Sequence, residues 1–236
     1  MFFIFDLETV PDFEFVRRVI DQPEEDEDDL LIQASEALAR NSAGFLPPMY
    51  HRVVSWVGLW IENNGVPRRK ASWNGTDEKE GLQEIFETLG TYKDFGLIHH
   101  NGRGFDLPVL TYRAMKHKLQ MPKRLSNYDI TYRYSSDNVD LKDEFSNYGA
   151  SSWPKLKHLG QLIDMPVKQT GEGNQVLEMF RNEQLTKIER YCYEDVMATY
   201  IVWLHMQYTT AAIGPELFNN LNDRAETKLK DIQDTD

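Results

Sequence analysis

The sequence predicts an α/β fold in which helices pack on a mixed β-sheet of about five strands. Short apolar runs bounded by Gly, Pro or Asn predict strands at 2–7, 52–65, 66–73 and 94–101. Longer segments with helical spacing lie between and after these runs. Because strands and helices alternate along the chain, we expect a single domain over 1–236.

Turn and alternation signals add a hairpin and a fifth strand. Asn64-Gly65 ends the segment 52–65 and is a pair typical of tight turns. The segment 66–73 is therefore predicted to return as the hairpin partner. Alternation of apolar and polar residues in "SNYDITYRY" predicts a further strand at 126–134.

Helical spacing accounts for much of the remaining chain. It predicts helices at 12–20, 30–40, 76–90, 106–119, 152–163, 175–182 and 185–210. Thr76 is the expected cap of the helix that Gly90 ends, and Pro154 lies near a first turn. An acidic and helical insertion is expected at about 21–47, and a tail at about 209–236.

Composition limits the classes of protein. Hydrophobic residues make up 41% of the chain, which is enough for a sizeable core. A single cysteine, Cys192, excludes an internal disulfide and a cysteine-based zinc site. The sequence has no stretch near the ~18 apolar residues of a membrane span and no secretory signal pattern. We therefore expect a cytoplasmic protein with no membrane partner.

The formal net charge of −12 by itself argues against a nucleic-acid partner, because phosphate contacts need Lys and Arg. Its distribution weakens that objection. Much of the negative charge lies in "EEDEDD" at 24–29 and in the tail, while basic residues cluster at 67–70 and 116–124. Each basic cluster taken alone indicates only a solvated surface.

Two carboxylates end the first predicted strand. Side chains alternate between faces of a strand, so Asp6 and Glu8 point the same way, roughly 7 Å apart along the strand. Two such groups repel each other and will not both be buried and ionised without a cation. Alone, the pair is better explained as solvated and idle.

Two further segments carry acidic residues that could join this pair. Asp106 lies at a strand-to-helix junction, where a helix cap is the simpler explanation. Tyr191 and Asp195 are four residues apart on a predicted helix and share a face, where a surface pair is the alternative. Four carboxylates from three segments could thus converge at one end of the sheet.

Two divalent metal ions roughly 3.5–4 Å apart need several oxygen ligands and can clamp the attacking and leaving oxygens of a phosphoryl transfer. Carboxylates suit Mg²⁺ or Mn²⁺. The sequence contains no G-x-x-x-x-G-K loop, no G-x-S-x-G elbow and no H-E-x-x-H motif. Two-metal chemistry is therefore the favoured hypothesis.

Three segments resemble the motifs of the DEDD 3′–5′ exonuclease superfamily, and they occur in the same order. They are "FDLET" (5–9), "NGRGFD" (101–106) and "YCYED" (191–195). The chain most resembles the predicted 3′–5′ exonucleases related to the proofreading domain of family-B DNA polymerases. The likeness runs from residue 1 to about 208.

That second resemblance extends beyond the acidic motifs. It is carried by "FLPPMYHRVVSWVGLW" (45–60), "HNGRGFDLPVLTYRA" (100–114) and "VDLKDEFSNYGA" (139–150). Family-B exonucleases are domains of larger enzymes, and this chain has no polymerase part. The acidic run at 24–29 is not part of the motifs.

The resemblance implies a ribonuclease H-like fold and a two-metal site. The implied ligands of two Mg²⁺ or Mn²⁺ ions are Asp6, Glu8, Asp106 and Asp195. It also implies that Tyr191 orients the attacking water. The histidine subtype has His five residues before the last Asp, where this chain has Arg190, so the chain resembles the tyrosine subtype.

The resemblance also implies contacts to the terminal nucleotides from Thr9, Asn101 and Phe105. The Phe105 ring could stack on a base, but core packing beneath the loop is an equal alternative. Asp140 and Asp143 are better explained as turn or cap residues than as supporting ligands.

The leading hypothesis is a metal-dependent 3′–5′ exonuclease that releases nucleoside 5′-monophosphates from the 3′ end of single-stranded DNA or RNA. One alternative is a catalytically idle nucleic-acid-binding domain on the same fold. Another is a hydrolase of small nucleotides. A scaffold with solvated acidic pairs is the least favoured. Protein partners are unknown.

Overall fold

A computed structural model describes residues 1–38, 45–165 and 174–234 of the chain. Its five-stranded sheet has the order β3-β2-β1-β4-β5. The strands are β1 (Phe2–Pro11), β2 (His51–Ile61), β3 (Pro67–Asn74), β4 (Gly96–His99) and β5 (Asn138–Asp140). β2 is antiparallel to β1 and β3, whereas β4 is parallel to β1 and β5. The expected mixed α/β sheet is confirmed.

Helices cover both faces of the sheet. They are α1 (Phe13–Ile20), α2 (Glu27–Leu38), α3 (Glu78–Leu89), α4 (Asp106–His117), α5 (Tyr128–Thr131), α6 (Leu141–Phe145), α7 (Leu156–Leu162), α8 (Asn174–Arg181), α9 (Leu185–Thr209) and α10 (Pro215–Gln233). Single 3₁₀ turns occur at Pro48–Tyr50 and Lys123–Ser126. Of the described helices, none is long and apolar enough to span a membrane.

The alternation of side chains along β1 assigns each residue to one of two cores. Ile4 packs with the apolar residues of α9 and α10. Phe3 and Phe5 pack on the opposite face with residues of α3 and α4. Because side chains alternate with period two, Asp6 and Glu8 share the face of Ile4 and point toward α9.

β1 extends well beyond its parallel neighbour. It pairs with β2 from Phe2 to Pro11, with a bulge between Glu8 and Thr9, but it pairs with β4 only from Phe2 to Ile4. Among the described residues, no strand pairs with the later residues of β1 on that side. This leaves room for the loop that follows β4 and for the first turn of α4.

Two local expectations are wrong. The segment 126–134 is not a strand: it contains the short helix α5, and the fifth strand is β5. The cap of α3 is Asp77, whose carboxylate accepts hydrogen bonds from the N–H groups of Lys79 and Glu80, and not Thr76. The side chain of Asp77 is one residue closer to these donors.

The segment assigned to a tail contains the helix α10, which packs against α9. Pro215 begins α10 at a position where its missing N–H costs nothing. Residues 39–44 of the expected insertion, including the end of the helix predicted at 30–40, lie outside the described residues. The division into one domain with an insertion stays a prediction.

Candidate active site

The first acidic pair lies at the centre of the sheet. One carboxylate oxygen of Asp6, one of Glu8 and the Sγ atom of Cys192 all lie within 4.8 Å of one another. Glu8 is buried, and Asp6 is half-buried. The two side chains thus converge under α9, although their Cα atoms are about two residues of strand rise apart.

Cys192 supports the Asp6 segment. Its thiol donates to the backbone carbonyl of Asp6 (Sγ···O 3.2 Å) and lies 3.8 Å from Asp6 Oδ2. Burial, followed by the charges of Asp6, Glu8 and Asp195, raises the pKa of the Cys192 thiol well above its usual range. In the metal-free protein the thiol therefore stays protonated and acts as a hydrogen-bond donor. No signal in the sequence predicts this role, although Cys192 stands between Tyr191 and Asp195.

Tyr191 and Asp195 approach the same carboxylates from α9. Burial raises the pKa of Tyr191, and the charges of Asp195, Glu8 and Asp6 raise it further. The hydroxyl therefore stays protonated at neutral pH. The Tyr191 hydroxyl is therefore close enough to the carboxylates of β1 and α9 to be influenced by their negative charge.

Asp106 is the first residue of α4 and is buried. Burial raises the pKa of its carboxyl group to about 7, while hydrogen bonds from its own N–H and that of Leu7 act in the opposite direction. Leu7 lies between Asp6 and Glu8, on the part of β1 that extends beyond β4. Asp106 is thus held against the edge of β1. Its oxygens do not belong to the group that lies within 4.8 Å.

Asp140 fixes the loop that leads to Asp106. Its carboxylate accepts hydrogen bonds from the N–H groups of Asn101 (2.7 Å) and Arg103 (3.1 Å). It also accepts from the N–H of Lys142 and so caps α6, which confirms the expected cap role. The charge of Asp140 contributes to the raised pKa of Asp106.

Two of the predicted substrate contacts meet at His51. The Nε2 atom of His51 lies 3.1 Å from the carbonyl of Leu46, which can only accept, so Nε2 carries the proton. The pKa of His51 is lowered to about 4, mainly by burial, and the neutral ring then accepts at Nδ1 from the Thr9 hydroxyl. The half-buried Phe105 ring lies edge-on to His51 (5.1 Å) and 5.4 Å from Phe45.

The third predicted contact lies elsewhere. Asn101 adopts a positive φ of 68°, and its side-chain oxygen accepts a hydrogen bond from Lys142 Nζ (2.8 Å). Its side chain lines a cleft beside α4, together with Arg103 and Lys142. Thr9 and Phe105 are therefore brought together at His51, and Asn101 lines the neighbouring cleft.

The donor set of Asp6 and Glu8 fits a hard divalent cation. Carboxylate oxygens are preferred ligands of Mg²⁺ and Mn²⁺, and a cation would offset the repulsion between these two neighbouring carboxylates.

A second acidic group, formed by Glu25, Asp26 and Asp29, lies on the surface. There, Asp26 accepts from the N–H groups of Asp28 and Asp29, so its carboxylate acts as a helix cap.

The sheet order and the flanking helices define a ribonuclease H-like α/β fold of the type that exonucleases use. Residues 43–236 match the family described as the predicted 3′–5′ exonuclease related to the exonuclease domain of PolB, and the chain belongs to this family. A search of curated proteins gives no match. The matched range includes Asp106, Tyr191 and Asp195, whereas Asp6 and Glu8 precede it.

Proposed function

We propose that this protein is a two-metal-dependent 3′–5′ exonuclease that releases nucleoside 5′-monophosphates from single-stranded nucleic acid. Membership of the predicted exonuclease family supports nuclease activity in general. The observation that carries the finer proposal is the convergence of the Asp6 and Glu8 carboxylates beneath α9, within the field that also acts on Tyr191. A cytoplasmic location stays a prediction.

The proposed ligands of two Mg²⁺ or Mn²⁺ ions are the carboxylates of Asp6, Glu8, Asp106 and Asp195. When bound, such ions acidify water and stabilise the charge that develops on the phosphoryl oxygens. Asp106 would bind as the carboxylate, which means that it loses the proton that burial favours in the metal-free protein.

Tyr191 orients water and does not act as a base. Its raised pKa keeps the hydroxyl protonated, so it can donate a hydrogen bond to the attacking water or to a phosphate oxygen. The Cys192 thiol donates a hydrogen bond to the backbone carbonyl of Asp6. These two neighbouring side chains of α9 would therefore fix the position of the reacting groups without transferring a proton.

The terminal nucleotide is proposed to lie over the bulged end of β1. Phe105 presents a half-buried ring there, held edge-on by His51, and can stack on a base. Thr9 is held by His51 and still has acceptor capacity at its oxygen. Asn101 would contact the next nucleotide, because its side chain faces the neighbouring cleft.

The test uses a single-stranded oligonucleotide carrying a 5′ label, incubated with Mn²⁺. Wild type is expected to shorten it in single-nucleotide steps from the 3′ end. Asp6→Asn and Asp195→Asn should each lower the rate by about a thousandfold, because a metal ion supplies several kcal/mol of transition-state stabilisation. The matched control is Asp26→Asn in the exposed acidic group, which should retain full activity.

Shortening that survives Asp6→Asn and Asp195→Asn would contradict the assignment of the site. Binding of the oligonucleotide with no shortening under any divalent ion would favour the idle binding domain. Hydrolysis of dinucleotides with no activity on oligonucleotides would favour the hydrolase of small nucleotides. A parallel substrate with a blocked 3′ end checks the direction and should be resistant.

A further inference from the structure

A run of tyrosines crosses the surface beside β5. We call Tyr128, Tyr132, Tyr134 and Tyr148 the tyrosine ladder. Successive ring centroids lie 4.9, 5.7 and 4.7 Å apart, so the four rings form one continuous contact series. Three of these tyrosines, Tyr128, Tyr132 and Tyr134, lie in the segment 126–134, where the alternation of residues resembles that of a strand.

Core packing does not explain the tyrosine ladder. Tyr128, Tyr132 and Tyr134 have exposed fractions of 70%, 42% and 58%. Aromatic side chains gain much of their stability by burial, and large exposed aromatic patches on soluble proteins commonly mark binding surfaces. The ladder is therefore a candidate for contact with another molecule.

A cleft of about 690 Å³ separates this region from α4. Its wall includes Trp153, which is 58% exposed, with the Lys142 ammonium group 4.6 Å from its ring centroid. Arg103 and Arg133 line the same cleft. Arg133 also lies over the Tyr148 ring, 6.0 Å from its centroid, and so joins the cleft to the ladder.

Three acidic groups near this surface have arginine partners, whereas Glu144 accepts a hydrogen bond from the Tyr148 hydroxyl. Asp143 is bridged by Arg103 and Arg133. Arg124 bridges Asp129 and Asp137. In the lining of the cleft itself, three cations (Arg103, Arg133 and Lys142) stand against two carboxylates (Asp140 and Asp143), and Lys142 and Arg133 also contact aromatic rings.

The loop before α4 connects the cleft to the candidate active site along the chain. Asn101 and Arg103 lie on its rim, and both donate backbone N–H groups to Asp140. The same loop leads within three residues to Asp106. A strand whose terminal nucleotide lies at Asp106 can therefore continue along this loop into the cleft.

We propose that the cleft and the tyrosine ladder bind the nucleotides of a single strand upstream of its 3′ end. The inference rests on the proposed function. Exposed aromatic faces stack on bases of any sequence, and interleaved cations contact the phosphates, which is the usual chemistry of single-strand binding. The structure thus assigns a substrate class: unpaired strands long enough to extend from Asp106 to the ladder.

Trp153 provides a direct optical test. The chain has five tryptophans, all in the described residues, and the other four are at most 7% exposed. Quenching by acrylamide therefore reports mainly on Trp153. In EDTA, a 16-nucleotide single strand should bind and protect Trp153 from acrylamide, whereas a dinucleotide should not.

Variants test the contribution of each ring. Trp153→Ala and Tyr134→Ala should each weaken 16-mer binding about tenfold, in line with the loss of one base–aromatic stack, and Tyr134→Phe should restore it. The matched control is Tyr208→Ala, which removes a ring of similar exposure (43%) on α9. Under turnover with Mn²⁺, the variants should raise KM for the 16-mer with little change in kcat.

The proposal is overturned if the 16-mer leaves Trp153 fully accessible, or if the variants bind it as wild type does. Either result with intact exonuclease activity would leave the proposed function standing and would favour a protein partner for the ladder. Protection of Trp153 without any shortening in Mn²⁺ would support the binding surface and contradict the exonuclease. Failure of one claim is therefore distinguishable from failure of the other.

Discussion

Two groups of carboxylates lie on or beside β1, and they differ in the neighbours whose pKa values they shift. Asp12 and Glu78 share the guanidinium of Arg113, whose side chain is almost fully buried between them. Lys116 and His117 complete this group, which we call the Arg113 cluster. Asp6 and Glu8 lie only a few residues away, and their charges act together with that of Asp195 on Tyr191 and Cys192.

The pKa shifts record this difference. Hydrogen bonds and charges from Arg113 outweigh burial and lower the pKa of both Asp12 and Glu78. At the candidate active site, burial and neighbouring carboxylates raise the pKa of Asp106, Tyr191 and Cys192. A buried acidic cluster with an internal arginine stabilises the fold, whereas one surrounded by further carboxylates is suited to hold cations.

The largest expected effect comes from removing the internal cation. Arg113→Met should lower the free energy of unfolding by about 3–5 kcal/mol, because it removes the buried guanidinium that both carboxylates share and leaves only the more exposed Lys116 and His117 beside them. Urea denaturation at pH 7 measures this. The control is Arg18→Met, whose pairing with Glu14 is exposed and loose (3.8 Å) and should matter by less than about 1 kcal/mol. Equal losses in the two variants would contradict the structural role of Arg113.

The next effect is stabilisation by metal. Mn²⁺ at a hundred times its dissociation constant should stabilise the wild type by about 2.7 kcal/mol, since it binds only the folded state. Thermal unfolding with Mn²⁺ and with EDTA measures the shift. Asp6→Asn should lose most of this Mn²⁺-dependent stabilisation. In EDTA, its free energy of unfolding should stay within about 1 kcal/mol of the wild-type value. Asp26→Asn should keep the whole stabilisation by Mn²⁺. If Asp26→Asn lost it, the metal would bind at the exposed group of Glu25, Asp26 and Asp29 instead.

A further effect is on pH dependence, where the two groups have opposite signs. The lowered pKa values of Asp12 and Glu78 give stability that is present above pH 4.5 and is lost as the pH falls further. The Asp106 carboxyl keeps its proton in the folded protein, so stability is lost as the pH rises from 3.8 toward about 7.

Urea denaturation in EDTA across pH 3–8 separates the contribution of Asp12 and Glu78 from that of Asp106. Arg113→Met should flatten the acid side of the profile, and Asp106→Asn should flatten the side between pH 4 and 7. If Asp106→Asn left that side unchanged, the carboxyl group would not be protonated in the folded, metal-free protein.

Much of the site follows from sequence because its residues are fixed by local geometry. The period of two along β1 places Asp6 and Glu8 on one face, and helical spacing does the same for Tyr191 and Asp195. The start of α4 at Asp106 was likewise expected and is confirmed. Motif order joins these segments, but no local pattern reveals that Cys192 donates to Asp6 or that His51 holds Thr9.

The failures have physical causes. The alternation at 126–134 arises from exposed tyrosines, which mimic the pattern of a half-buried strand. β5 has three residues, too few for a periodic signal. α10 could have been found, because Leu221, Ala225 and Leu229 recur every four residues. The Arg113 cluster joins residues about a hundred positions apart, which one sequence does not show.

The most direct test is the anomalous scattering of Mn²⁺ in crystals grown with Mn²⁺ and a nucleoside 5′-monophosphate. The account predicts two peaks roughly 3.5–4 Å apart, bounded by the carboxylates of Asp6, Glu8, Asp106 and Asp195. A crystal with no peak at these residues, or with Mn²⁺ only at the exposed group of Glu25, Asp26 and Asp29, would contradict it.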